Sequence, residues 1–402
     1  MVADRLIAIS NAKLLTMGPL GIIEKGTVII KGSKIVAVGD KLEIPSDAEI
    51  FDVEGSVVTP GLIDAHTHLG LLPLIEDPQA TSNESTNPVT PEMRALDGVY
   101  PQDPGFKDAV SGGVTSVMVL PGGRSGPGET LNVIAGMGVV LKCSGTIADK
   151  MVLRQPACMK MGLGDRPKKT FNPSLDKRKK PFTRMGVASL IRTNLTKAKN
   201  YQTKVERAKK DPSKLVEIDL GMEALSALLR KEFPARVHAY RADDIYTAIR
   251  LSEEFGFNLT LDHAVEASLL VDELVERKIS VVLGPLMHGK SIYELEKLSP
   301  ETPSILSKKE VKFAITTDHP SRPIQYLPYA LLTFFTAGLE WLEALKAITI
   351  YPAEIMGVSN RVGSLEAGKD ADLAIFTEDP LEPLSRVEAV FVNGAKLYPK
   401  SA

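Results

Sequence analysis

The sequence predicts an α/β protein: a (β/α)8 TIM barrel with a small composite β-sandwich domain formed by both termini. Three observations carry this. Both ends are rich in short β-branched runs broken by turn residues. The middle alternates apolar, strand-like runs with helical stretches, the pattern of βα units. The histidines fall where those middle runs stop.

The N-terminal part of the β domain is read from Leu6-Ile7-Ala8-Ile9, Ala12-Lys13-Leu14-Leu15, Gly26-Thr27-Val28-Ile29-Ile30 and Lys34-Ile35-Val36-Ala37-Val38. Ala371-Asp372-Leu373-Ala374-Ile375-Phe376 and Val390-Phe391-Val392-Asn393-Gly394 have the same character at the other end. One domain built from residues 1–59 and 362–402 is the economical reading, with the barrel on 60–361.

Between them, candidate strands end near Ile63, Val119, Lys142, Met161, Val237, Leu261, Leu283 and Ile315, which makes eight. Helical stretches follow at 241–255, 266–277 and 339–348. A barrel of this kind places its active site at the C-terminal strand ends. From His238 to His263 is 25 residues, one βα unit, and from His263 to Asp318 is 55, about two units. From Lys160 to His238 is 78, so this interval holds an insert, with a basic stretch at 164–181 and a helix expected at 186–209. A second insert, 71–104, is rich in Pro, Asn and Thr. Long loops at a barrel mouth shape substrate access.

Bulk properties exclude several classes. The 402 residues carry 48 basic and 50 acidic side chains, net charge −2, so no nucleic-acid or membrane partner is expected. No apolar run is long enough to span a bilayer, and no secretory signal is visible. Two cysteines, Cys143 and Cys158, argue against a disulfide scaffold and for a cytoplasmic setting.

All six histidines, at 66, 68, 238, 263, 288 and 319, lie at or just past a strand end. His66 and His68, two apart on a strand, project to one face. With His238, His263 and Asp318 they form a four-histidine, one-aspartate set from four strand ends. Neutral imidazole and carboxylate suit a divalent metal such as zinc.

The chain resembles the amidohydrolase superfamily, and more narrowly its imidazolonepropionase-like branch. The matching pieces are Pro60-Gly61-Leu62-Ile63-Asp64-Ala65-His66-Thr67-His68, His238, His263, Thr317-Asp318-His319-Pro320, and the return Gly363-Ser364-Leu365-Glu366-Ala367-Gly368-Lys369-Asp370-Ala371-Asp372-Leu373. Tyr351-Pro352-Ala353 stands where such proteins often carry Asn-Pro-Ala, a change at a helix start. The resemblance implies a metal-dependent hydrolase of a small-molecule amide C–N bond, cyclic or linear or a dipeptide, often homo-oligomeric. It implies one ion or two, the second arrangement bridged by a carbamylated lysine on the fourth strand. Lys160, among apolar neighbours, is the candidate, because burial frees its amine to capture CO₂. A salt bridge at the rim is the alternative role, and Lys142 is the rival lysine. Asp318 would move the proton of the attacking water to the leaving nitrogen. His263 would bind a second metal or hold the substrate carbonyl. A deaminase of a nitrogen heterocycle and a non-catalytic scaffold are the competing readings. The first lacks its usual glutamate beyond the fifth strand, and the second is opposed by the complete ligand set.

Four further residues are candidate substrate contacts. Arg124 lies in Pro121-Gly122-Gly123-Arg124-Ser125-Gly126-Pro127-Gly128, which lacks the Lys-Ser/Thr of a phosphate loop. Arg241 reads as a carboxylate clamp or as a helix first turn paired with Asp243 or Asp244. His288 reads as a substrate contact or an idle loop residue, and His319 as a residue behind Asp318 or at the rim. Arg166, Lys168, Lys169, Lys177, Arg178, Lys179 and Lys180 read as a solvated loop, since only Phe171 and Phe182 are near to stack on bases.

Overall fold

A computed structural model describes residues 5–74, 82–125, 128–172, 180–211, 213–285 and 292–399. Its barrel strands are β1 Leu62–Thr67, β2 Val114–Val119, β3 Ile134–Lys142, β4 Val152–Gly162, β5 Ala235–Ala239, β6 Leu259–His263, β7 Ser280–Leu283 and β8 Phe313–Ile315. They lie side by side in chain order. Four of the eight are buried along their whole length, as strands covered on both faces are.

The eight expected strands are present, but the third is reversed. β3 runs antiparallel to both neighbours, with Val139 opposite Val119 and Gly138 opposite Cys158. The link before it is a small hairpin, Gly123–Ser125 against Gly128–Thr130, where a parallel pair would need a helical crossover. The reversal carries the C-terminal end of β3 to the far side of the barrel. Lys142 is therefore excluded as a bridging lysine. Its Nζ lies 2.5 Å from Asp372 and 2.9 Å from Asp370, joining barrel and terminal sheet.

Between β8 and β1 the barrel is closed largely by one side chain. Asp64 accepts hydrogen bonds from Thr316 Oγ1 at 2.5 Å, Thr317 N at 3.0 Å, Thr317 Oγ1 at 2.6 Å and His66 N at 3.1 Å. His68 N also donates to His319 O at 2.9 Å.

The expected helix after β5 spans Ala242–Phe255, burying Ile245, Ala248, Ile249, Ser252 and Phe255 at helical spacing. Gly256, at φ 79°, ends it in the left-handed conformation that costs glycine little. The helix in the long insert spans Arg184–Lys210 and is capped by Thr183, whose Oγ1 accepts from Gly186 N. The stretch expected at 266–277 is a 3₁₀ turn, Ala267–Leu270, followed by Val271–Glu276.

The terminal strands form one continuous eight-stranded sheet rather than two separate ones. Strand Leu6–Leu15 shifts register between Ile9 and Leu14, and the sheet encloses a core of Ile7, Ile9, Val28, Ile30, Leu373 and Phe391. Val57–Pro60 pairs antiparallel with Leu373–Phe376, so the two ends of the chain share a ladder. No helix among the described residues is long and apolar enough to cross a membrane.

Candidate metal centre

Strand alternation on β1 sends Asp64, His66 and His68 toward one face. His68 is fixed by Nδ1 donating to Leu120 O at 2.8 Å, and His263 by Nδ1 donating to Gly284 O at 2.5 Å. Both rings then carry their lone pair on Nε2, the tautomer of a metal ligand. Nε2 of His68 and of His66 lie 3.4 Å and 3.5 Å from Asp318 Oδ1. Ring centroids of His66 and His263 are 4.7 Å apart, and those of His238 and His263 are 4.6 Å apart. Five of the six expected ligands, His66, His68, His238, His263 and Asp318, thus meet at the mouth.

Backbone strain makes the meeting geometry. Asp262 points into the barrel, so alternation would turn His263 away. His263 sits instead at φ 69°, and Asp318 at φ 53°, conformations that non-glycine residues adopt at a cost. The gathered atoms also lack partners. His238 Nε2 and Asp318 Oδ1 are buried without a hydrogen bond among the described residues. Leaving a buried polar atom unmade costs about 1–3 kcal/mol. One donor atom each from His66, His263 and Asp318 lies within 4.8 Å of the others, as a shared ion requires. The donor set therefore fits a divalent metal.

Electrostatics agree. Burial holds the His66 ring down to about 3, with Lys160 adding to the effect, and burial holds His238 and His263 below the usual value. Such rings stay neutral and can ligate. Burial would raise Asp318, but the imidazoles of His68, His66 and His263 around it hold it below the ordinary carboxylate range.

Lys160 is buried in the barrel interior, not at the rim. It lies opposite Arg236, whereas Gly162 lies opposite His238, so the lysine starts one interior layer below the imidazoles. Its Nζ reaches Asp262 Oδ2 at 2.5 Å. Burial holds the amine below its ordinary value, against the pull of the Asp262 charge.

The proposed substrate contacts are dispersed. Arg241 donates to Asp243 from Nε at 3.0 Å and from Nη2 at 3.1 Å, the helix-turn alternative. His319 is fully buried, with Nδ1 accepting from Ile324 N at 3.3 Å, so it lies behind the site. His288 and the Arg124 side chain lie outside the described residues, as do Lys177, Arg178 and Lys179. Arg166 departs from the solvated-loop reading. Its guanidinium lies 5.9 Å from the Tyr240 ring, and that ring is 4.5 Å from His238. Helix Asp165–Phe171 thus borders the site, tied down by Arg184, which pairs with Asp165, Asp244 and Glu294.

Sequence reasoning missed Asp64, Arg236, Asp262 and Tyr240. Three were visible as charges inside otherwise apolar strands, and Tyr240 as the same-face neighbour of His238.

The amidohydrolase family matches residues 57–397. This chain belongs to the amidohydrolase family. An amidohydrolase from Thermotoga maritima has a solved structure with 40% identity, covering 98% of this chain and 100% of its own, at a TM-score of 0.92. The imidazolonepropionase of Geobacillus kaustophilus is 28% identical over 90% of this chain and 85% of its own length. It meets the branch that the motifs resemble. Amidohydrolase tasK of Hapsidospora irregularis is 28% identical over 93% of this chain, which spans only 40% of that longer protein. A prolidase solved with N-methylphosphonate-L-proline, at 19% identity and a TM-score of 0.61, shares the fold. Family membership supports a hydrolase of carbon–nitrogen bonds.

Proposed function

We propose that this chain is a divalent-metal-dependent hydrolase that cleaves an amide-type C–N bond of a small molecule. The observation that carries the reading is the convergence of four imidazoles and Asp318, with buried ligand atoms on His238 and Asp318 left unpaired. His66, His68, His238, His263 and Asp318 are the residues that would hold the ion, and zinc suits this nitrogen-rich set. A divalent ion held there supplies the charge that acidifies water and polarises a carbonyl.

The chain's own residues do the rest. Asp318, with Oδ1 toward the imidazoles and Oδ2 accepting from Ser321 Oγ at 3.1 Å, takes the proton of the attacking water. It then returns that proton to the leaving nitrogen, which lets the C–N bond break. Tyr240 walls the site beside His238 and His263. The pairing of Lys160 with Asp262 supports a single-ion arrangement over a carbamylated lysine bridging two. The substrate class is a cyclic amide, a linear amide or a dipeptide; similarity to an imidazolonepropionase and to prolidases supports that range.

The test is a screen of dipeptides, N-acyl amino acids, cyclic imides and imidazolones with zinc-loaded protein. Hydrolysis that stops on chelation and returns with metal is expected. Turnover indifferent to chelation, or ammonia release from a heterocycle without ring opening, would refute the reading.

A further inference from the structure

Three charged side chains lie in the barrel interior beside the imidazoles, Asp262 on β6 in register with His238 and Arg236 on β5 and Lys160 on β4 one layer below, none more than 1% exposed. Barrel interiors are ordinarily filled by branched apolar residues, and burying charge is costly. Asp262 Oδ1 accepts from Arg236 Nε at 2.8 Å and from Arg236 Nη2. Oδ2 accepts from Lys160 Nζ and faces His66 Nδ1 at 3.3 Å. Arg236 Nη2 also reaches across to Ala65 O at 2.9 Å, the carbonyl just before His66. The group therefore touches both the ring and the backbone of one ligand.

The other fixed imidazoles differ. His68 and His263 each give Nδ1–H to a backbone carbonyl. At His66 a carboxylate oxygen lies 3.3 Å from Nδ1, within reach of the ring but not aligned as a hydrogen bond. We propose that Asp262, clamped by Arg236 and Lys160, is the positioning residue that keeps His66 in its Nδ1–H tautomer with Nε2 toward the ion, and that Lys160 is its counter-charge rather than a metal bridge. The inference rests on the metal reading above. A carboxylate behind a ligating imidazole fixes the ring and strengthens its donor nitrogen. The register agrees: β4 presents Gly162, without a side chain, opposite His238, and the lysine below extends to Asp262.

The experiment uses the full chain with Asp262→Asn, Asp262→Glu and Lys160→Met. Zinc is titrated into metal-free protein against a chromophoric chelator, at a temperature where circular dichroism shows each variant folded. The unaltered chain is expected to bind one ion. Asp262→Asn should bind about 10–100-fold more weakly, with partial recovery in Asp262→Glu. Imidazole ¹⁵N shifts should show His66 Nδ1 protonated in the unaltered chain and a tautomer mixture in Asp262→Asn, which a purely structural role would not produce. Lys160→Met should keep the same ion count. If Asp262→Asn does not fold, Asp262→Asn/Lys160→Met, which removes one charge of each sign, carries the same measurement. Unchanged zinc affinity in the asparagine variant, or loss of a second ion in Lys160→Met, overturns the inference alone. An unaltered chain that binds no divalent ion overturns the metal reading and this inference with it.

Discussion

Replacing Asp64 by asparagine tests how the barrel is closed and what the closure costs. The carboxylate accepts from two hydroxyls, Thr316 Oγ1 and Thr317 Oγ1, and two backbone amides, Thr317 N and His66 N. Asparagine keeps one acceptor oxygen. The hydroxyls can turn away, but one backbone N–H is left buried and unpaired, at about 1–3 kcal/mol. Against this stands the buried charge. Burial raises Asp64 from 3.8 to about 6, more than its hydrogen bonds lower it. At about 1.4 kcal/mol per pH unit, carrying the charge at pH 7 costs about 3 kcal/mol. The two effects nearly cancel, so Asp64→Asn should be close to the unaltered protein at pH 7. The sign of the pH dependence follows. A group raised in the folded state gives its stabilisation in full below the unfolded value of 3.8 and loses it as pH rises through about 6. Near pH 4 the unaltered chain regains most of that 3 kcal/mol and the variant does not, so the variant should be weaker there by about 2–3 kcal/mol. The assay is urea unfolding of chelator-treated protein at pH 4 and pH 7, read by the fluorescence of the single tryptophan, Trp341. The same stability difference at both pH values would refute the reasoning.

Three further outcomes follow. Asp318→Asn keeps the side chain's volume but removes the proton acceptor, so kcat should fall roughly 10²–10⁴-fold; a loss under tenfold in steady-state assays on any substrate found would remove Asp318 from the proton transfer. Lys142→Ala strips the cation from buried Asp372, while Asp370 keeps Lys34 and Arg361, and should cost about 3–5 kcal/mol in urea unfolding. Its zinc affinity should not change, because β3 carries it to the far end of the barrel. Arg241→Ala breaks a half-exposed pair with Asp243 and a contact of its guanidinium with the Tyr293 ring, so stability should move by less than about 1 kcal/mol; a large rise in KM would restore Arg241 as a substrate clamp.

Much of this architecture was legible because the local patterns are simple. His66 and His68 at i and i+2 follow from strand alternation, and His238, His263 and Asp318 stand at the ends of short strand-like runs. The reversal of β3 was not read, since a strand buried on both faces looks alike in either direction. Its trace was the link 120–133, short and rich in Gly and Pro, with no helical period. Asp262 and His263 adjoin, and no alternation rule lets two neighbours face the same interior; only the positive φ at His263 does. Arg236 and Asp262 pair across neighbouring strands, and Lys160 joins Asp262 from far away in sequence, so no local pattern shows the group. Arg166 looked like loop solvent contact because its basic neighbours concealed that one of them packs against Tyr240.

In the proposed function one divalent ion is shared by side chains from β1, β5, β6 and the segment after β8. The most direct measurement is anomalous diffraction at the zinc edge from crystals grown with zinc. A peak enclosed by the imidazoles of His66, His68, His238 and His263 and the carboxylate of Asp318 is expected. A fully loaded crystal with its peak elsewhere, or with none at the barrel mouth, would contradict it.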